Sequence, residues 1–152
     1  MDLIHFIGTI DFNGFNGGVF FIRVHPWSLN FLMRASTYFY YNQEDYLLFA
    51  DQSSMNNILT SSKDAENHYI IVPQYWFNSH IDDKQKGDFL VHLAGQRNKT
   101  ERARKLRSQI EEDPEWYTSV SSKDLRKKVL EYYDLPKEKQ EKIKFETKRT
   151  LN

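Results

Sequence analysis

Along residues 1 to 95, short runs rich in β-branched and aromatic side chains alternate with stretches patterned for helices. Strands alternating with helices restrict such a chain to an α/β fold, a mixed sheet flanked by helices. Leu3-Ile4-His5-Phe6-Ile7-Gly8 reads as a short strand, and residues 11–18 follow with three glycines and two asparagines, the residues that tolerate positive φ. Val19-Phe20-Phe21-Ile22-Arg23-Val24 is apolar on both faces at first, the pattern of a buried strand. Pro26-Trp27 ends it, and Ser28 is placed to cap a helix from Leu29 to about Tyr41. Asp51 opens a second helix, Gln52 to Leu59, with Met55, Ile58 and Leu59 on one face. Tyr69-Ile70-Ile71-Val72 is a strand ended by Pro73, residues 82–87 form a polar turn, and Phe89-Leu90-Val91-His92-Leu93 is a further strand.

From Gln96 onward the chain is densely charged, with amphipathic helices expected over Lys99–Glu112 and Ser122–Tyr133 and a fraying end from Pro136. The expected organisation is residues 1–97 as one α/β unit and 98–152 as a charged helical extension packing on it. The 21 basic and 21 acidic residues balance, which removes the electrostatic argument for a nucleic-acid or anionic-membrane partner. Without cysteine there is no disulfide framework and no thiolate metal site. No apolar run approaches the roughly 20 residues that span a bilayer. Asp2 stands where a signal peptide needs basic residues, so no targeting segment is expected.

Three segments carry chemistry, and each has a bland reading beside the functional one. In Asn13-Gly14-Phe15-Asn16-Gly17-Gly18, the glycine pair entering a strand lets backbone amides approach a ligand, or simply makes a tight turn. Its glycines lack the dinucleotide-binding spacing, and no Gly-Lys-Ser/Thr follows. Asp51-Gln52 can hold a sugar hydroxyl or a developing cationic carbon; Asp51 can equally be a helix cap. In Gly87-Asp88-Phe89-Leu90-Val91-His92-Leu93-Ala94-Gly95, alternation places Asp88, Leu90 and His92 on one strand face. His92 is then a buried, hydrogen-bonded core residue or a metal ligand.

The order of these segments is specific. Asn16-Gly17-Gly18-Val19-Phe20-Phe21-Ile22-Arg23, Trp27-Ser28-Leu29, Asp51-Gln52-Ser53, Pro73-Gln74 with Phe77-Asn78-Ser79, and the Gly87–Gly95 segment succeed one another over about residues 2–97. This succession resembles the second half of the catalytic domain in the family 34 glycosyltransferases, the fungal galactosyl- and mannosyltransferases and plant xyloglucan xylosyltransferases. The resemblance implies a partial GT-A fold and retaining hexosyl transfer from a nucleotide-sugar donor to a glycan acceptor. It also implies a divalent cofactor, commonly Mn²⁺, and residence in the Golgi lumen as a type II membrane protein. By resemblance His92 is a metal ligand, and Asp51 and Gln52 line the face where donor and acceptor meet. Asn16, Gly17 and Gly18 shape the sugar pocket; Asp88 and Gly95 help wall the donor diphosphate.

The family's Asp-x-Asp metal motif, on a strand before the Asn-Gly segment, has no counterpart in this sequence, and neither has the N-terminal membrane anchor. The expectation is an enzyme half that is inactive alone. The alternative is a non-catalytic remnant that binds carbohydrate or a protein partner.

Overall fold

The computed structural model describes residues 3–118 and 121–144. Contacts gather these into two compact units: residues up to Pro73 with the stretch from Glu141, and Gln74–Gln140. The change in composition at Gln96 falls inside the second unit. Of the end expected to fray, residues 145–152 lie outside the described residues.

In the first unit, β1 (Phe6–Asp11) pairs antiparallel with β2 (Gly14–Ile22) and parallel with β3 (Tyr69–Ile71), giving a small mixed sheet in the order β2-β1-β3. Residues 11–18, where the glycines and asparagines point to a tight turn entering a strand, form the end of β1, a hairpin turn and the start of β2. Gly14 makes the turn possible, its φ of 99° being open to glycine and strained for other residues. The run 19–24, read as a buried strand, is instead the end of an edge strand to Ile22 and the two residues after it. Phe21 is half exposed because only β1 pairs with β2 among the described residues, and Val24, beyond the strand, is fully exposed.

Two helices cover the sheet, α1 (Pro26–Tyr41) and α2 (Ala50–Ser61). α1 begins before the expected Ser28 cap: His25 is the capping residue, its Nδ1 accepting from Trp27 N at 3.2 Å, with Pro26 in the first turn, where a missing N–H costs nothing. Ser28 faces inward with Phe31 and Ala35, and Leu29 and Met33 face solvent. The core joins Phe6 and Phe15 from the hairpin, Phe31 and Ala35 from α1, Ile58 and Leu59 from α2, and Ile71 from β3. Complete burial of each phenylalanine, leucine or isoleucine here contributes about 1.5–3 kcal/mol. Gly8 admits the two central rings: a Cβ there would lie 2.7 Å from Phe15 Cε2 and 3.0 Å from Phe6 Cε1.

In the second unit, β4 (Ser79–His80) and β5 (Val91–His92) form a two-residue parallel pair. The strand expected over 89–93 shortens to this pair. Asp88 lies in the preceding turn, where its Oδ2 accepts from Gln85 N at 2.8 Å. α3 (Lys99–Glu112), the short α4 (Glu115–Thr118) and α5 (Ser122–Tyr133) follow, with the two long helices at the boundaries the charge pattern gives. Ser121 caps α5, accepting from Asp124 N at 3.1 Å and donating to Asp124 Oδ2 at 2.6 Å. Lys86 reaches from the polar turn to Asp113 and Glu115, at 2.6 Å each, and Trp76 packs edge-on against Tyr132.

Candidate functional site

The β1–β2 pairing contains one large irregularity. Ile7 faces Phe21 and Thr9 faces Asn16, so two steps along β1 match five along β2, and three extra residues bulge from β2 between Asn16 and Phe21. Bulges of this kind re-aim side chains and collect beside functional sites. This one carries Gly17 and Gly18, two of the three residues expected to shape a sugar pocket.

Polar contacts fix the bulge from both ends. Asp11 Oδ1 accepts from Asn13 N and its Oδ2 from Asn16 Nδ2, both at 2.7 Å; Asn16 Oδ1 then accepts from Gly18 N at 2.9 Å. Asn16 is buried, and Gly18 is left exposed at the end of this relay. On the other side, α2 lies along the outer edge of β2. Gln52 Oε1 accepts from Gly17 N at 2.9 Å, and one turn later Asn56 Oδ1 accepts from Phe15 N at 3.0 Å. Alternate strand residues stand about 6.6 Å apart and residues four apart on a helix about 6 Å, so the two amides match the edge N–H groups. They do the work of a neighbouring strand. Gly17 permits the approach, since a Cβ there would sit 3.2 Å from Gln52 Cβ.

The Gly17 contact also sets which way the Gln52 amide faces. A backbone N–H needs an acceptor, so Oε1 points at Gly17, and Nε2 is left without a partner among the described residues. Asp51 is not the cap of α2: Phe49 occupies that position, without a side-chain capping bond. Asp51 lies one residue into the helix, exposed, its Oδ1 accepting from Gln52 N at 2.8 Å. Consecutive helix positions diverge by about 100°, so Gln52 faces the bulge and Asp51 faces solvent. The bulge and the Gln52 amide therefore meet from segments 35 residues apart, with the Asp51 carboxylate on the neighbouring, solvent-facing side of the helix.

Asp88, His92 and Gly95 belong to the second unit. His92 is half-buried and stands opposite His80 in the β4–β5 pair. Gly95 has φ of 64° and open space around it, so conformation and not room requires glycine there. Among the described residues no group of three or more histidine or acidic side chains could hold a metal ion. These residues by themselves do not fit a divalent cation, which prefers several oxygen ligands.

Two residues of the first cluster were not singled out from sequence, Asp11 and Asn56. The available signals were the five-residue spacing from Asp11 to Asn16 and the four-residue helical spacing from Gln52 to Asn56.

A small mixed sheet flanked by helices, with an asparagine–glycine bulge clamped by the start of a helix, makes the first unit a mixed α/β domain. The sequence model of the galactosyl transferase GMA12/MNN10 family matches residues 2–103, and the chain belongs to this family of glycosyltransferases. No curated protein and no solved structure gives a significant match. The architecture is consistent with part of a GT-A domain. Among the described residues no helix is long and apolar enough to cross a membrane.

Proposed function

We propose that the chain forms the sugar-facing side of a retaining hexosyltransferase, which moves a hexose from a nucleotide sugar to a glycan acceptor in the Golgi lumen. The hydrogen bond from Gly17 N to Gln52 Oε1 carries this reading, because it commits the amide oxygen to the strand and leaves Nε2 to donate, on a residue that follows the exposed Asp51 and holds the glycine before the exposed Gly18. In this reading Gln52 Nε2 donates to a sugar oxygen and the Gly17–Gly18 backbone leaves room for the ring. The Asp51 carboxylate stabilises positive charge developing at the anomeric carbon, an electrostatic role that needs no covalent intermediate. Asp88 and Gly95 border the donor diphosphate.

A divalent cation such as Mn²⁺ would neutralise the leaving diphosphate. By the family resemblance His92 would supply one imidazole, and the described residues gather no set of oxygen ligands beside it. Weak Mn²⁺ binding by the chain alone is therefore expected in a calorimetric titration.

The test is amide NMR of the chain titrated with UDP-galactose, GDP-mannose and a mannose oligosaccharide. Shifts at Gly17, Gly18 and Gln52 that vanish in Gln52→Leu are expected with at least one sugar. Unperturbed amides at these positions with every sugar would overturn the assignment.

A further inference from the structure

Opposite the clamp, at the other end of the hairpin, three histidines from three segments stack. His5, just before β1, is 6% exposed. Its ring lies 3.8 Å from that of His25 and 5.0 Å from that of His68, both at an interplanar angle of 16°. Trp27 closes the group, 5.1 Å from His68 and 5.9 Å from His5. The same residues join the backbone: His5 N and Phe6 N both donate to His68 O, and Arg23 N donates to His5 O. The stack thus fastens the start of β1 to the turn before α1 and to the residue before β3.

Two of the rings have a proton position set by their partners. His25 Nδ1 accepts from Trp27 N, so it must be unprotonated to cap α1. His68 Nδ1 lies 2.8 Å from Leu3 O and must carry a proton to meet a carbonyl. His5 Nδ1 is buried with no hydrogen-bond partner among the described residues, so a proton placed there finds no acceptor. The charged groups facing the rings are Arg23, from the end of β2, and Asp64, whose Oδ1 lies 3.7 Å from His68 Nε2 and whose Oδ2 accepts from Trp27 Nε1 at 3.1 Å.

We propose that His5, His25 and His68 form an acid-responsive latch. When neutral, they hold the start of β1 and the first turn of α1 in place; a proton on His25 Nδ1 or a charge on the buried His5 releases them. A proton on His25 Nδ1 removes the helix cap, and a second charge on His5 adds an unpaired buried donor and like-charge repulsion. Burial, then His25, His68 and Arg23, hold His5 below the ordinary histidine value of 6.5. The unfolded chain therefore takes up this proton first, and stability present above pH 6.5 falls as the pH drops below it.

The experiment compares the chain with His5→Phe and His25→Asn at pH 7.5 and pH 5.5. Asparagine caps helices without titrating near neutrality. In the unaltered chain, acidification should lower the urea midpoint. It should also raise amide exchange, corrected for its intrinsic pH dependence, at His5, Phe6 and Arg23 relative to Ile58 and Leu59. Both variants should blunt these changes; if His5→Phe does not fold, His25→Asn decides. An undiminished acid loss in the variants, or a His5 C–H resonance titrating at or above pH 6.5, would overturn the latch.

Discussion

Gln52 and Asn56 show how one side-chain atom can carry both structure and chemistry. Each amide oxygen closes a strand edge, but Asn56 is buried whereas Gln52 is half-buried and follows the exposed Asp51. Their replacements should separate accordingly. Asn56→Leu leaves the buried Phe15 N–H without its acceptor and is expected to cost about 1–3 kcal/mol in urea unfolding. Gln52→Leu should lose less stability than Asn56→Leu, because Gly17 is only partly buried, yet remove the sugar-dependent shifts. Gly8→Ala would press a methyl group into two core rings, and a loss of about 1–3 kcal/mol is expected from such overpacking. The place of Asp51 and Gln52 at the start of a helix was legible in the sequence, because an acid in the first turn complements the helix dipole. Asn56 was not, since a single asparagine inside a helical stretch has the same appearance whether it faces water or a strand edge.

Element by element, existence and type were easier to read than ends and partners. The helix after Pro26 is announced by its pattern, but its start was assigned to Ser28 because serine is the commoner cap. Histidine does that work, and Ser28 Oγ is buried with no partner among the described residues. Ser28→Ala should therefore leave stability unchanged or raise it by up to about 1 kcal/mol in thermal unfolding, whereas loss of a true cap would cost about 1 kcal/mol. β2 was misplaced for a different reason. Its apolar run matches the interior of a sheet, and the sequence has no local mark for an edge closed by a helix. The two-residue β4–β5 pair is similar: alternation over 89–93 signals an extended segment, but the length of pairing depends on a partner strand only two residues long.

Across the chain, family membership was legible because five short segments occur in a fixed order, although each alone fits an ordinary turn, cap or strand. Grouping into compact units was not, since it depends on contacts distant in sequence. Lys86 illustrates this: its turn reads as a solvated loop, yet its ammonium bridges Asp113 and Glu115 around the start of α4. The Lys86 ammonium holds the Asp113 carboxyl below its ordinary value of 3.8, by hydrogen bonding foremost. This contribution is complete above that value and disappears as the pH falls through the lowered one. Lys86→Met should accordingly lower the thermal midpoint at pH 7, and the difference from the unaltered chain should shrink toward pH 2.

The contact of Gly17 with Gln52 also bears on how this protein can vary over generations. A methyl at position 17 meets Gln52 Cβ and pushes Gly17 N away from the Gln52 amide, and a shortened residue at 52 abandons the same N–H, so both single changes break one hydrogen bond. Positions 17 and 52 are therefore expected to be epistatic, and in a double-mutant cycle of Gly17→Ala with Gln52→Ala the combined loss should fall short of the sum of the single losses.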